Sequence, residues 1–350
     1  MPRMLRFWAV LLCLGFAAMT GAAQEAPTGT FTNPLLSSGA DPQLTTFEGD
    51  YYLTYTTGSD IRVRRADSLE RIGEAEEQIV WSDTDAGRCC NVWAPELHRL
   101  RGPDGWRWYA YYTAGPAECC ANQRMHVLES EADDPLGPYR YKARLFDSEH
   151  DFWAIDPTVF KAGEASYVIW SGTPQDMMLY EKPQYLYIAK LRNPWTLEGP
   201  RVELSRPEYD WEKVDGEVNE GPAVLLHGDE VFLSFAASLC FSDDYKLGLM
   251  TAEVDANLLE PASWRKLPQP QFTRNDDGGA FGPGHNSFFK SPDGREDWFI
   301  YHANPSAGLG CGELRSPRVQ RLTWGDDGLP EFGRPAPLDK PLPLPSGDGG

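Results

Sequence analysis

The sequence predicts an all-β fold, a single-domain five-bladed β-propeller, and two observations carry this prediction. The first is composition: 12% of the 350 residues are aromatic, and 33 glycines and 29 prolines accompany them. Aromatic residues favour strands, whereas glycine and proline favour tight turns, so the chain should form many short strands joined by turns. The second observation is one pattern that recurs five times along the chain.

Each recurring segment has the plan of one β-hairpin: a short strand, a turn that contains Gly or Asp, and an aromatic-rich second strand. The five segments begin at Ala40, Trp93, Ile155, Glu220 and Gly284. Another strand-like piece follows each hairpin, and some segments continue into a fourth. Three to four strands per unit is typical of a propeller blade. A two-sheet sandwich is the alternative, but it does not explain a fivefold recurrence.

The two ends of the chain differ from the repeats. Residues 1–23 place arginines ahead of an apolar stretch and end in small residues, which predicts a secretory signal peptide. A membrane anchor is the alternative, but the apolar run is shorter than the roughly 18 residues that span a bilayer. Residues 24–333 are then the propeller domain of a protein exported to the periplasm or medium. Residues 334–350 form a Pro/Gly-rich tail that we expect to be a flexible end or linker.

The charge of the chain restricts its partners. The formal net charge is −20 and the sequence pI is about 4.7. Such a chain repels phosphate backbones, so we expect no nucleic-acid partner. An acidic surface also keeps an exported protein soluble, and it is compatible with a neutral substrate.

We expect a monomer without a membrane anchor.

Polar and aromatic residues open the five first strands, which line the central channel of a propeller. They are Asp41, Trp93, Asp156, Glu220 and His285. Taken singly, each has a plain structural explanation as a turn or core residue. Carboxylates that face each other at one channel mouth raise one another's pKa, however, and such a costly arrangement indicates function. Paired carboxylates beside an indole suit glycoside hydrolysis.

Six short motifs around these residues occur in a fixed order along the chain. They are GADPQL with Asp41, WAPE with Trp93, IDPTVF with Asp156, NEGPAVL with Glu220, GPGHNSFF with His285 and RSPRVQRLTW with Arg315. In this order they resemble the motifs of glycoside hydrolase family 43, and the match spans essentially the whole mature domain. The resemblance implies a five-bladed propeller that cleaves arabinan, arabinoxylan or xylan with inversion.

The resemblance also implies a role for each carboxylate. Asp41 would be the general base that holds the attacking water, and Glu220 the general acid. Asp156 would tune the pKa of that acid and orient it. Inversion needs the acid and base about 6.5–9.5 Å apart, which side chains on different blades can satisfy. Retention through a covalent intermediate stays open as an alternative.

Three further residues receive roles from the same resemblance. Trp93 would line the subsite of the non-reducing sugar, and Arg315 would contact the sugar or the catalytic carboxylates. His285 would lie in the central channel, where it supports the site and a water-coordinated calcium or other ion. The chemistry itself would require no cofactor.

The subgroup is indicated by RCCNVWAPELH, GPGHNSFF, YHANP and GCGELRSPRVQRLTW. These stretches most resemble the branch of exo-acting α-L-arabinofuranosidases, which release single arabinose units. The alternatives are a β-xylosidase or endo-arabinanase of the same family, and a sugar-binding propeller without catalytic activity.

Cysteine pairing is the last prediction from the sequence. Cys13 lies in the predicted signal peptide, and the cysteines that remain are Cys89, Cys90, Cys119, Cys120, Cys240 and Cys311. An even number in an oxidising compartment predicts disulfides, and adjacent cysteines lack the spacing of zinc ligands. The start of a first strand and the end of a second strand share one end of a blade, so all six should lie on the catalytic rim. We expect bridges from the 89/90 pair to the 119/120 pair, and one from Cys240 to Cys311.

Overall fold

The computed structural model describes residues 29–176 and 183–349, which form strands joined by turns and loops. The predicted signal peptide lies outside the described residues. Five antiparallel sheets follow one another along the chain, each with its strands in sequence order. These sheets are the five predicted blades, so the all-β propeller is confirmed.

A two-residue strand, β1 (Thr30–Phe31), precedes the first blade. Blade one contains β2 (Gln43–Phe47), β3 (Asp50–Thr54), β4 (Asp60–Ala66) and β5 (Glu77–Ser82). Blade two contains β6 (Cys90–Gly102), β7 (Gly105–Gly115), β8 (Arg124–Ser130) and β9 (Tyr139–Leu145). Blade three contains β10 (Ala154–Ala162), β11 (Ala165–Gly172), β12 (Tyr185–Asn193) and β13 (Thr196–Ser205).

Blade four contains β14 (Asn219–His227), β15 (Glu230–Ala237), β16 (Lys246–Glu253) and β17 (Arg265–Lys266). Blade five contains β18 (Phe281–Lys290), β19 (Asp297–Asn304) and β20 (Ser316–Arg321). Three short strands follow: β21 (Thr323–Trp324), β22 (Pro330–Glu331) and β23 (Leu342–Pro343). Short 3₁₀ helices occur at Leu69–Arg71, Asp210–Glu212, Pro261–Ser263 and Asp276–Gly278. Within the described ranges, no helix is long and apolar enough to cross a membrane.

The hydrophobic core is divided into five clusters, and each cluster lies between two neighbouring blades. Ile188 of blade three packs in one cluster with Leu233 of blade four. The cluster that closes the ring joins Tyr51 of blade one to Trp298 of blade five. A fully buried side chain of this size contributes about 1.5–3 kcal/mol to stability. Each blade is therefore stabilised through both of its faces.

At the opening of each first strand, one residue with a left-handed backbone stands directly before a proline. These residues and their φ angles are Asp41 (52°), Ala94 (42°), Asp156 (57°), Gly221 (50°) and Gly282 (55°). In blades two to five the pairing register shifts at this point, as in a β-bulge. Left-handed conformations cost a non-glycine residue about 1–3 kcal/mol and concentrate at functional sites.

This residue–proline pair shows which positions of the five blades are equivalent. Asp41 and Asp156 are the first members of their pairs, whereas Trp93 and Glu220 each come one position earlier. His285 comes after the pair of blade five, and it has a left-handed φ of its own at 45°. The predicted site residues therefore open the five first strands but do not occupy one common position.

Side chains on or just after a second strand hold the first strand of the next blade. In three blades a backbone N–H donates to such a side chain. The bonds run from Ala94 to Thr56 Oγ1 (2.8 Å), from Asp156 to Thr113 Oγ1 (3.0 Å) and from Asp41 to His302 Nδ1 (3.0 Å). The last bond connects blade five to blade one and so helps to close the ring.

The segment that leads into blade one completes blade five. The Leu35 N–H donates to Pro317 O (2.9 Å), and the Gly39 N–H donates to Arg315 O (3.0 Å). Asn33 donates to Val319 O (2.9 Å) and accepts from the Val319 N–H (2.8 Å). The free edge of β20 is thus covered by chain from the other end of the domain, which protects an otherwise exposed strand edge.

The C-terminal tail differs from the flexible end that its composition predicts. Leu342 and Pro343 in β23 pair with β1, and Leu344 is buried in the cluster between blades one and five. Asp348 accepts hydrogen bonds from the Ser68 side chain (2.7 Å) and the Leu69 N–H (2.9 Å). Proline prevents a long strand here, but a two-residue pair and one buried leucine are enough to hold the tail against the propeller.

Candidate active site

A pocket of about 290 Å³ opens where the first strands begin. All six predicted site residues line it. Its lining consists of Asp41, Thr56, Trp93, Cys120, Trp153, Ile155, Asp156, Gln184, Glu220, Leu239, Cys240, Phe241, His285, Cys311 and Arg315. The structure therefore brings together the carboxylates, the indole, the imidazole and the guanidinium that are far apart in the sequence.

Asp41 is surrounded by donors and positive charge. Thr56 Oγ1 donates to its Oδ2 (2.7 Å), and Arg315 Nη1 donates to its Oδ1 (3.0 Å). His285 Nδ1 lies 3.2 Å from the same Oδ1. Burial opposes ionisation of Asp41, but Arg315 and the neighbouring histidines outweigh it and hold the pKa of Asp41 well below its usual range. Asp41 is therefore a carboxylate over the whole range of ordinary pH.

The hydrogen bonds of His302 show which of these neighbours carries the charge. The Asp41 N–H donates to His302 Nδ1 (3.0 Å), and the same nitrogen lies 3.3 Å from Asp41 Oδ1; the backbone bond needs this nitrogen to be unprotonated. Burial lowers the pKa of His302 to about 4, and burial also lowers the pKa of His285. Both rings are therefore neutral near pH 7, and Arg315 is the permanent positive charge beside Asp41.

Glu220 has the opposite environment. Its residue is only 8% exposed, and its Oε1 accepts a hydrogen bond from the Tyr245 hydroxyl (2.9 Å). Burial and the negative charge of Asp41 raise the pKa of Glu220 to about 7, although Tyr245 and Arg315 act in the other direction. Glu220 can therefore carry a proton at a pH at which Asp41 cannot.

Asp156 lies beside Glu220 and is equally buried, with 7% of the residue exposed. Burial, followed by the charges of Glu220 and Asp41, raises the pKa of Asp156 well above its usual range. The Gly221 N–H donates to its Oδ2 (3.1 Å). A Cβ at Gly221 would lie 2.9 Å from the His285 ring, so only glycine fits between these side chains.

Arg315 and the aromatic walls complete the pocket. Arg315 Nε donates to Gly312 O (3.1 Å), so the guanidinium is fixed by its own loop before it reaches Asp41. Trp93 lies on the pocket wall, in β6. Trp153 is buried in the wall and donates from its indole nitrogen to Cys120 O (3.0 Å). The pocket thus combines a charged floor with indole walls, which suits a sugar ring.

Comparison with known proteins identifies the family. The model of the family described as glycosyl hydrolases family 43 matches residues 31–330. The chain belongs to this family. It is therefore a glycoside hydrolase, as its motifs predict.

Several relatives of this family 43 enzyme are named as arabinofuranosidases. The "Extracellular exo-alpha-(1->5)-L-arabinofuranosidase" of Streptomyces avermitilis is 37% identical over 342 residues, covering 94% of this chain and 69% of the relative. The "Alpha-L-arabinofuranosidase 43" of Humicola insolens is 36% identical over 348 residues, covering 97% and 70%. The crystal structure of an α-L-arabinofuranosidase from Lactobacillus brevis superposes with a TM-score of 0.80 at 35% identity, covering 89% of this chain and 98% of the other.

The disulfides of this family 43 chain correct one prediction and confirm another. Cys240 is bonded to Cys311, as expected. The two adjacent pairs are not bridged to each other, because Cys89 bonds Cys90 and Cys119 bonds Cys120. The register explains the difference: Cys90 lies opposite Gly115, so the 119/120 pair falls beyond the strand, in the connection to β8. Of the six cysteines expected on the catalytic rim, three line the pocket, namely Cys120, Cys240 and Cys311.

The ion predicted beside His285 is one held through water, and it stays a prediction. Within the described residues, no group of three His, Cys, Asp or Glu side chains could hold a metal ion directly. His285 Nδ1 faces Asp41.

Three functional neighbours are absent from the sequence prediction. His302 positions the backbone of Asp41, Tyr245 bonds Glu220, and Trp153 forms part of the wall. His302 lies in the stretch YHANP, which indicates the subgroup but not this role. Tyr245 and Trp153 lie outside the first strands, where a search for strand-opening residues does not find them.

Proposed function

We propose that this family 43 enzyme is an exported, inverting exo-α-L-arabinofuranosidase. It releases terminal α-L-arabinofuranosyl residues from arabinan or arabinoxylan oligosaccharides. The observation that carries the proposal is the contrast between the ionised Asp41 and the protonatable Glu220 in one pocket. Inverting and retaining hydrolases both need one carboxylate and one carboxylic acid at the same pH, and the product anomer distinguishes them. The arabinofuranosidase names of the relatives support the choice of sugar.

In the proposed reaction, Glu220 gives its proton to the glycosidic oxygen as the bond from this oxygen to C1 of arabinose breaks. Water attacks C1 from the opposite face, and Asp41 takes the proton that the water loses. Asp41 ends the step protonated and Glu220 ends it ionised, so exchange with solvent restores the resting state. Asp156 tunes and orients Glu220 in this proposal, since its Oδ2 accepts a hydrogen bond from the N–H of Gly221, the residue that follows Glu220.

Arg315 has a second part in this proposal. Its charge keeps Asp41 ionised and also lies next to the sugar that loses its leaving group. The Streptomyces avermitilis relative is named as an exo-acting enzyme, which supports exo action.

The test is to incubate the enzyme with aryl α-L-arabinofuranoside and aryl β-D-xyloside and to follow the first product anomer by NMR. We expect release of β-L-arabinose from the first substrate and little release from the second. Xylose release alone would identify a xylosidase, and α-L-arabinose as first product would establish retention. Shortened oligosaccharides without free arabinose from linear arabinan would identify an endo enzyme. A folded protein that binds arabinan and releases no sugar would be the non-catalytic propeller.

Export is tested separately. We expect the mature protein to be recovered outside the cytoplasm with its N-terminus near Gln24, as measured by mass spectrometry of the intact chain. Retention of residues 1–23 in the exported protein would contradict the predicted cleavage.

A further inference from the structure

An aromatic ring stands at the rim of the pocket with half of its surface in solvent. Six large apolar side chains are strongly exposed among the described residues, and Phe241, at 53%, is the one that lines the pocket. A single exposed apolar side chain is ordinary, but Phe241 lines a pocket, where a bound ligand can cover its ring. The proposed general acid and base leave this ring without a role in the reaction.

The loop that carries Phe241 is held in place by several bonds. Cys240 is bridged to Cys311, and the Gly308 N–H donates to both oxygens of Asp243 (2.9 and 3.1 Å). The ring also covers Gly310, where an added Cβ would lie 3.4 Å from Phe241 Cδ1. An aromatic surface that is fixed before binding loses little conformational entropy when a ligand covers it.

The same loop lies on the side of the pocket that contains Glu220. It follows β15, in which Ala236 is the register partner of Glu220. It ends at Tyr245, whose hydroxyl donates to Glu220. A general acid must face the glycosidic oxygen, so the sugar that departs lies on this side.

We propose that Phe241 determines specificity by serving as the platform for the sugar on the leaving-group side of the scissile bond. The C–H face of this sugar packs on the exposed ring, while the terminal sugar occupies the enclosed pocket. The ligand class is a neutral oligosaccharide with at least two sugar units. This inference rests on the proposed function, because it takes Glu220 as the proton donor.

The test compares Phe241→Ala with Phe146→Ala, a matched variant of a phenylalanine that is 40% exposed and does not line the pocket. The substrates are α-1,5-arabinotriose and α-L-arabinofuranosyl fluoride, whose leaving group is too small to reach the ring. For Phe241→Ala we expect kcat/KM to fall about tenfold with the trisaccharide and less than twofold with the fluoride, since only the trisaccharide covers apolar ring surface. Phe241→Trp should restore trisaccharide hydrolysis, and Phe146→Ala should match the wild type with both substrates.

An unchanged kcat/KM for arabinotriose in Phe241→Ala would overturn the platform, and so would an equal loss with both substrates. Failure of the proposed function is recognised first, in the wild type. If the wild type cleaves xylotriose but not arabinotriose, the arabinose assignment fails and the same comparison is made with xylotriose and xylosyl fluoride. If it cleaves neither, calorimetry with both trisaccharides replaces kinetics, and a Kd unaltered in Phe241→Ala overturns the platform.

Discussion

Glu220 is buried and Asp41 is largely buried at the mouth of one channel, yet their neighbours differ in charge. Asp41 has the guanidinium of Arg315 at 3.0 Å, whereas Glu220 has the neutral hydroxyl of Tyr245 at 2.9 Å. Burial by itself raises the pKa of a carboxyl group, as it does for Glu220 and Asp156. Arg315, together with the neighbouring histidines, reverses the effect for Asp41. Burial therefore favours the protonated form of Glu220, and the positive charge beside Asp41 favours its ionised form.

The largest expected effect comes from removing each carboxylate in turn. Glu220→Gln and Asp41→Asn should each lower kcat on arabinotriose by about 10³-fold or more, in the upper range for general acid–base catalysis. The two variants should differ in their activity on arabinofuranosyl fluoride, since fluoride departs without a proton. We expect Glu220→Gln to keep most of its fluoride hydrolysis and Asp41→Asn to lose it. Equal losses with fluoride in both variants would refute the assignment of acid and base.

The three disulfides differ in how much they should stabilise the fold. Cys240–Cys311 joins residues 71 positions apart on the Glu220 side, whereas the other two bridges join neighbours in sequence. In the chain-entropy model, the long link stabilises the fold by about 4 kcal/mol. Cys240→Ser/Cys311→Ser should therefore lower the free energy of unfolding by roughly that amount, measured by denaturant titration. Cys89→Ser/Cys90→Ser is the matched control. It should lower the free energy of unfolding by less than about 1 kcal/mol, because the Cys89–Cys90 bridge closes almost no loop. A control loss as large as the first would show that chain entropy is not the cause.

Replacement of Arg315 should raise the pKa of Asp41 toward that of Glu220. Without the guanidinium, burial dominates and the pKa of Asp41 rises, so the base becomes protonated at a higher pH. In Arg315→Leu the acidic limb of the kcat/KM profile should move to higher pH, and activity at pH 5 should fall about 100-fold. Arg71→Leu, an exposed arginine paired with Asp67, is the control. An unmoved acidic limb would mean that Asp41 owes its charge to another group.

The smallest effect is expected at Tyr245, whose hydrogen bond lowers the pKa of Glu220. The wild-type enzyme should lose activity as pH rises through about 7, because Glu220 then loses the proton that it donates. In Tyr245→Phe this alkaline limb should shift upward by less than about one pH unit, the size of one hydrogen bond. Tyr301→Phe, a buried tyrosine in the core between blades four and five, controls for a general loss of packing. A shift to lower pH would contradict the role of Tyr245.

Much of the fold could be predicted because each blade is encoded locally. A hairpin needs only a turn and two strands, so its residues lie within about 20 positions of one another. The carboxylates were found for the same reason, since Asp41, Asp156 and Glu220 each sit in a short motif at a strand opening. The partners of these carboxylates come from other parts of the chain. His302, which accepts from the Asp41 N–H, is 261 positions away.

The bridges between the cysteine pairs and the loose tail were the wrong predictions, and both concern contacts that depend on register. Cys90 and Cys120 share an end of blade two, but the pairing of Cys90 with Gly115 leaves the second pair beyond the strand. The tail is held because β1, at the other end of the chain, offers it a strand partner. Neither fact is present in the local composition.

The number of blades, the residues that open them and the chemical groups that meet at the channel can all be predicted from the sequence. Alternation, turns and residue–proline pairs act over a few residues, and so they can be recognised without the fold. The three-dimensional structure adds the reason why Asp41 stays ionised, the pairing of each adjacent cysteine with its neighbour, and the aromatic ring of Phe241 that remains uncovered at the rim. The charged neighbours of a side chain, its burial and its possible disulfide partners depend on distances between segments that are far apart along the chain. Closure of the propeller sets those distances.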